Sequence, residues 1–165
     1  MRDTTTTGAV RIVEYEPRHR DHFRALNLAW ITERFPIEES DRWELDHPES
    51  HILGQGGHIF IAESDDEVIG TCALLREKDG SFSLAKMAVA PHARGRGIGR
   101  ALAEAAIEKA RALGASRVAL QSNTVLEPAI RLYRSLGFVE VPMPPTDHRR
   151  ANIAMALELR PTQTP

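Results

Sequence analysis

The alternation of apolar and polar positions changes period several times along the chain, and each change marks an element. "AVRIVEY" (9–15) alternates with period two and reads as a strand. Pro17 leads into "RHRDHFRALNLAWITERF", where Phe23, Leu26, Ala29 and Trp30 recur at helical spacing and predict a buried stripe. "IEESDRWELDH" predicts a second, short helix, followed by the turn "GQGG". Three strands come next: "HIFIAE", "EVIGTCALLRE" and "SFSLAKMAVA". The connecting "SDD" and "KDG" read as hairpin turns, so an antiparallel meander is the economical arrangement.

After the third of these strands the period becomes helical. Ile98, Leu102, Ala106, Ala110 and Leu113 line one face, Arg100, Glu104, Glu108 and Arg111 the other, and Gly114 supplies a stop. "RVALQS" is a short strand. "LEPAIRLYRSLG" is a helix with Pro128 in its first turn, Gly137 past its end and a stripe of Ala129, Leu132, Tyr133 and Leu136. "FVEVP" and "ANIAMALEL" are strands joined by a Pro-rich loop. The order β-α-α-β-β-β-α-β-α-β-β predicts an α/β fold of three layers, a mixed and mostly antiparallel sheet flanked by helices on both faces. At its centre the strand-loop-helix-strand run predicts a right-handed crossover between parallel strands.

Composition narrows the class. A chain of 165 residues, 42% hydrophobic and 27% charged, is expected to form one soluble globular domain over 9–160, with polar, flexible tails at 1–8 and 161–165. The start has no signal-like apolar run and no stretch reaches membrane-spanning length, so a cytoplasmic protein without a membrane partner is expected. Cys72 is the single cysteine, so no internal disulfide forms. A net charge of −2 argues against a nucleic-acid partner. The charge is also uneven. Gly80 to Ala103 holds no acid but contains Lys86, Arg94, Arg96 and Arg100. Glu33 to Glu49 holds seven acids against Arg34 and Arg42. Either an anionic ligand meets the first stretch and a cationic one the second, or both are solvated faces.

The stretch "VAPHARGRGIGRAL" sets three glycines between a strand and a helix N-terminus, where free backbone N–H groups and the helix dipole favour an anion. Two familiar phosphate loops fail on spacing. Arg100 stands where the P-loop needs Lys-Ser/Thr, and also where the dinucleotide loop needs its third glycine. The pattern that remains is Arg-x-x-Gly-x-Gly at Arg94, Gly97 and Gly99. It is paired downstream with "SNTVLEPAIRLYRSLGF", which contains Asn123, Tyr133 and Gly137-Phe138. Through these two segments the sequence resembles the GNAT superfamily of acyl-CoA-dependent N-acyltransferases, over about two-thirds of the chain.

The resemblance implies acetyl-CoA as the donor substrate. Backbone N–H groups from Arg94 through Gly95, Arg96, Gly97 and Ile98 to Gly99 would hold its pyrophosphate. Met87 and Val89 would pair with the pantetheine arm like an added strand, the Val89 N–H also reaching the acyl carbonyl. Asn123 would hydrogen-bond the pantetheine, and Tyr133 would act as general acid on the leaving sulfur. Taken alone, Tyr133 reads as a core tyrosine, Asn123 as a turn residue, and Arg94 and Arg96 as surface charge. Family members often place a glutamate on the central strand, whereas "SFSLAKM" has Ser83 and no acid. The base is therefore expected on the wall formed by the first two helices, with Glu33 ahead of Glu38 and Glu39; otherwise the amine loses its proton to water. Lys86, polar within an apolar strand and opposite Met87, either reaches the acceptor or snorkels from a sheet edge.

Other signals carry less. His47 and His51 in "HPESH" have a zinc-helix spacing, but Pro48 takes the place of the glutamate and opposes a helix there. His19 and His22 lack a third ligand, so no metal is expected. Cys72 in "IGTCALL" reads as a buried structural thiol. The expected function is N-acetyltransfer to a primary amine of a small molecule, by direct attack in a ternary complex. The alternatives are a protein N-terminal or lysine acetyltransferase, a non-catalytic acyl-CoA sensor, and an unrelated nucleotide-binding protein. The oligomeric state, a homodimer included, cannot be read from the sequence.

Overall fold

A computed structural model describes residues 8–159. The strands are β1 (Arg11–Glu14), β2 (His58–Ser64), β3 (Glu67–Arg76), β4 (Phe82–Val89), β5 (Arg117–Ser122), β6 (Val139–Val141) and β7 (Ile153–Glu158). The helices are α1 (Arg20–Thr32), α2 (Glu39–Asp46), the single turn α3 (Pro48–His51), α4 (Ile98–Ala112) and α5 (Glu127–Ser135). The strands form one sheet in the order β1-β2-β3-β4-β5-β7-β6. Every pairing is antiparallel except β4 with β5, which are joined through α4. This is the expected mixed, mostly antiparallel sheet between two helical layers. Of the expected tails, 1–7 and 161–165 lie outside the described residues, while the Gly8 carbonyl accepts from Ser64 Oγ at 2.9 Å.

Each face of the sheet buries its own apolar set. On one face α4 lays Ile98, Leu102, Ala106 and Ala110 over Leu74, Phe82, Leu84, Val118 and Met155. On the other, Phe23 of α1 and Leu45 of α2 pack with Ile59, Ile61, Val68 and Ala73. Two stripes differ from the periodic reading. In α1 the inward positions are Phe23, Asn27 and Ile31, and Ala29 is exposed. The polar Asn27 is tolerated inside because its amide donates to the Phe23 carbonyl at 2.8 Å and to Thr71 Oγ1 at 3.1 Å. Leu113, at the end of α4, is 52% exposed, since Ala103 and Ile107 complete the buried face instead.

One irregularity in β4 builds the site. Ala85 pairs with Ala73 and Ala88 with Thr71, so Lys86 and Met87 together face the single residue Cys72. Lys86 takes φ +52°, rare for a residue with a side chain, and the strand bulges there. The bulge carbonyl of Lys86 accepts from Thr71 Oγ1 at 3.1 Å. Thr71 accepts in turn from Asn27, whose own oxygen accepts from the Trp30 indole at 3.3 Å. The buried polar relay therefore satisfies the backbone group that the bulge releases. Just ahead of the bulge β4 leaves β5. Only Phe82 to Leu84 pair with Val118 to Leu120, and the rest of β4 runs on to Val89 without a partner on that side. Lys86 therefore lies in a central strand, not at a sheet edge.

Candidate active site

A cavity of about 430 Å³ opens at this divergence, lined by β4 from Ser83 to Val89 and by Gln121, Ser122 and Asn123 at the end of β5. That volume suits a small-molecule site. One wall carries Arg94, Asn123, Ala129 and Tyr133; the other carries Trp30, Glu33, Phe35, Glu44, Glu77 and Arg150.

The glycine turn lies beside the first wall. Gly95 and Gly97 have φ of 79° and 77°, which a side chain would strain, and no atom lies within 4 Å of where a Cβ would project from either. Gly97 caps α4, so the N–H groups of the first helical turn have no intrahelical acceptor and sit at the positive end of the dipole. The Ile98 side chain is buried, which leaves its backbone as the part that can meet a ligand. Arg94 folds back toward β4, its Nε donating to the Val89 carbonyl at 3.2 Å and its Nη2 lying 3.4 Å from Glu33 Oε1. Arg96 is exposed. Met87 and Val89 are half-buried and line the cavity from the open side of β4.

Tyr133 is 8% exposed and lies against Phe138, the ring centroids 5.9 Å apart and the planes at 60°. Burial pushes its phenol well above the ordinary tyrosine range, and the neighbouring Cys72 adds to the shift. The hydroxyl is accordingly a neutral proton donor at physiological pH, and Tyr133 borders the cavity. Asn123 spends both ends of its amide locally. Nδ2 donates to the Arg150 carbonyl at 2.7 Å and Oδ1 accepts from the Val125 N–H at 2.9 Å. Cys72 is fully buried, and burial alone raises its thiol far above the usual range. It stays neutral and inert.

The opposite wall rests on an ion network that periodicity does not reveal. Asp41 of α2 is fully buried, and its carboxylate accepts from Lys86 Nζ at 2.8 Å and from both Arg150 Nη atoms at 2.6 Å. Arg150 Nη1 also reaches Glu38 Oε2 at 2.9 Å. Burial would raise the Asp41 pKa, but hydrogen bonds from Arg150 and the charge and hydrogen bond of Lys86 outweigh it and hold the carboxyl well below the ordinary range. Arg150 is shifted the other way: burial lowers its pKa, and Asp41 more than reverses that. Lys86 and Arg150 border the cavity, and Asp41 fixes both from behind. The sequence did hold one signal of this: Lys86, in an otherwise apolar strand, needs a buried anion.

Glu33 lies on the cavity wall beside Arg94. Glu38 is committed to Arg150 and to the N–H of Arg149, and Glu39 opens α2 at an exposed position. A carboxylate outside the predicted helices joins them: Glu77, at the start of the β3–β4 turn, accepts from Ser83 Oγ at 2.7 Å. Ser83 lies in the central strand β4, which carries no acid of its own. The histidines have structural places. Pro48 starts α3 rather than opposing it, and the His47 and His51 rings stack 5.7 Å apart beside Trp43. His19 is buried, its Nδ1 accepting from the Glu16 N–H and its Nε2 bonded to Glu63. Among the described residues no group of three metal-ligating side chains occurs, and no helix is long and apolar enough to cross a membrane.

Comparison with known proteins gives this geometry a family. The profile of the Acetyltransferase (GNAT) family matches residues 22–138. The uncharacterized N-acetyltransferase YjgM of Escherichia coli is 32% identical over 114 residues, which cover 66% of this chain and 68% of that protein. The rodent and human N-acetyltransferase 8 relatives are matched over less than half of their own length. Among solved structures, a GNAT-family acetyltransferase of Staphylococcus aureus superposes with a TM-score of 0.82 at 23% identity, over 92% of this chain and all of that one. The acetyltransferase YncA of Salmonella typhimurium, solved with acetyl-CoA, gives 0.73 at 20% identity, over 95% of this chain and 98% of that one. With its diverging β4 and β5, its glycine turn capping α4 and a family profile spanning both, the chain belongs to the GNAT family of acetyltransferases, whose acetyl donor is acetyl-CoA.

Proposed function

We propose that the chain moves an acetyl group from acetyl-CoA to the primary amine of a small molecule, by direct attack in a ternary complex. The observation that carries this is Tyr133, a buried, neutral phenol on the same cavity as the unpaired side of β4. The residues present fit the donor. Gly95 and Gly97 leave open space above free N–H groups suited to a pyrophosphate, and the unpaired side of β4 suits an extended amide-bearing arm.

Bound acetyl-CoA supplies an activated thioester carbonyl. The β4 backbone at Met87 and Val89 holds the arm, and the Val89 N–H opposes negative charge building on the carbonyl oxygen. Tyr133 gives its proton to the departing sulfur, which would otherwise leave as a thiolate. Asn123 acts by bracing Arg150 and the turn to α5 against the cavity. Among the described residues the cavity presents no thiol, Cys72 being buried and neutral behind it, and the amine itself attacks. A cavity of this size, closed by Trp30, Phe35 and the loop before β7, favours a compact acceptor over a long polypeptide.

The test is release of free thiol from acetyl-CoA in the presence of a panel of amines, with the donor's binding followed by calorimetry. Tyr133→Phe is expected to lower turnover by about 100-fold and to leave acetyl-CoA affinity within about threefold of wild type. Binding of acetyl-CoA without amine-dependent thiol release would mean a sensor, and unchanged turnover in Tyr133→Phe would remove the acid from this scheme.

A further inference from the structure

Three carboxylates on described residues line the cavity: Glu33, Glu44 and Glu77. Two of them face a cation. Glu33 lies 3.4 Å from Arg94 Nη2, and Glu44 lies 3.9 Å from Lys86 Nζ. Glu77 has no cation within ion-pair distance among the described residues. Its partner is the Ser83 hydroxyl, which donates to Oε1 at 2.7 Å. Ser83 pairs with Leu75 on β3 and Ala85 with Ala73, so both lie on the α1–α2 face of β4 ahead of the bulge, and both line the cavity. The hairpin thus folds a carboxylate onto the central strand at a position where the strand itself has none. The other charged or titratable side chains on that cavity are Glu33, Arg34 just past α1, Glu44, Lys86, Arg94, Tyr133, and His148 and Arg150 from the loop before β7.

We propose that Glu77 is the base that takes the proton from the acceptor amine, its carboxylate held over β4 by the Ser83 hydroxyl. The inference rests on the acetyltransferase reading above. An alkylammonium has a pKa of about 10.4 and cannot attack until it is deprotonated. Glu77 is exposed and lines the cavity, where an uncompensated carboxylate attracts the cation. The ammonium gives one proton to Glu77, which releases it to solvent. The neutral nitrogen forms its bond to the carbonyl carbon as the carbon–sulfur bond breaks. Tyr133 protonates the sulfur, and the second proton lost by the nitrogen returns to the tyrosine oxygen through solvent. One thioester and one ammonium yield one amide, one thiol and one proton.

The experiment measures kcat/KM against pH with the full chain and whichever of L-lysine, spermidine, phenethylamine or alanyl dipeptide supports thiol release. Glu77→Gln is expected to lower kcat/KM by about 100-fold at neutral pH. The deficit should shrink by about tenfold per pH unit as solution supplies neutral amine. Acetyl-CoA affinity should not move. Ser83→Ala, which frees the carboxylate without removing it, should show a smaller loss with the same alkaline recovery. Restoring an acid to the strand, in Glu77→Gln combined with Ser83→Glu, should recover at least about tenfold of the lost rate. Wild-type rates in Glu77→Gln, or a deficit equal at every pH, would overturn the assignment while leaving the acetyltransferase reading intact. A wild-type chain that binds acetyl-CoA but acetylates none of the amines would overturn that reading, and this assignment with it.

Discussion

The two walls of the cavity are built in different ways. The donor wall is made of backbone. As proposed, it consists of the unpaired side of β4, the turn at Gly95 and Gly97 and the first turn of α4, with Tyr133 as the side chain assigned a proton transfer. Most of it comes from one continuous run, Phe82 to Ala112. The acceptor wall is made of side chains from five separate places: the end of α1, α2, the β3–β4 turn, the bulge of β4 and the loop before β7. Its central contacts join Lys86 to Asp41 across 45 residues and Arg150 to Asp41 across 109. Backbone recognition needs a particular local conformation, which particular residues at fixed spacing can encode. Side-chain recognition can be assembled from anywhere and altered one residue at a time. The same donor chemistry can thereby be kept while the acceptor changes.

The largest effect separating the walls is expected at Asp41. Asp41→Asn leaves Lys86 and Arg150 with Glu38 and Glu44 but without the carboxylate that joins them. Removing one partner of a buried ion pair typically costs about 3–5 kcal/mol. For a chain of this size the lower figure corresponds to a fall in Tm of about 6–12 °C. Acetyl-CoA affinity at a permissive temperature should stay near wild type, because Asp41 bonds the Lys86 side chain rather than the β4 backbone. The pH dependence has a definite sign. The Asp41 pKa is lower in the folded protein than in the unfolded chain, where it is near 3.8. Its contribution is complete above the unfolded value and is lost as the pH falls below it toward the folded one. Wild type should lose stability in that acid window, and the loss should be smaller in Asp41→Asn. Equal acid slopes in thermal melts of the two proteins would show that the walls are not separately stabilised.

A smaller effect in the opposite direction is expected at Gly97. An alanine there must hold φ near +77°, which costs about 1–2 kcal/mol for an L-residue. It also puts a methyl into the space above the helix N-terminus, where no protein atom lies within 4 Å. Gly97→Ala should weaken acetyl-CoA binding by about tenfold while the KM for the amine barely moves. Calorimetry with acetyl-CoA and steady-state titration of the amine separate the two, and a change confined to the amine would invert the comparison.

The same contrast decides how much of the molecule could be read from its sequence. Periodicity carried the sheet and both helical layers, because the inner strands and the long helices α1 and α4 bury side chains at regular positions. It failed at Ala29 and Leu113, where a neighbouring position completes the buried face, and at Asn27, where a polar side chain is inside because it supports the bulge. The glycine turn ahead of α4 and the place of Tyr133 on the cavity were legible because each lies in a local motif that the family resemblance covers. The Asp41 network was not, since nothing near Asp41 distinguishes it from the six other acids between Glu33 and Glu49. Glu77 escaped for a related reason. The acids that sequence pattern brings forward lie on the first two helices, while the hairpin turn folds an acid back onto β4 through Ser83.

Glu33 is where the two walls meet, and it carries the smallest expected effect. It is half-exposed, as is Arg94, and an ion pair of that kind contributes about 0–1 kcal/mol. Arg94 is held besides by the Val89 carbonyl, so losing Glu33 does not free it from β4. Glu33→Gln should therefore change kcat by less than about threefold and leave the pH profile with the shape of wild type. The comparison with Glu77→Gln sharpens the assignment because both variants remove one negative charge from the same cavity. A field effect would make them alike. If Glu33→Gln instead lost turnover and recovered it in alkali while Glu77→Gln did not, the amine's proton would leave toward α1. The base would then stand beside the donor wall rather than on the hairpin.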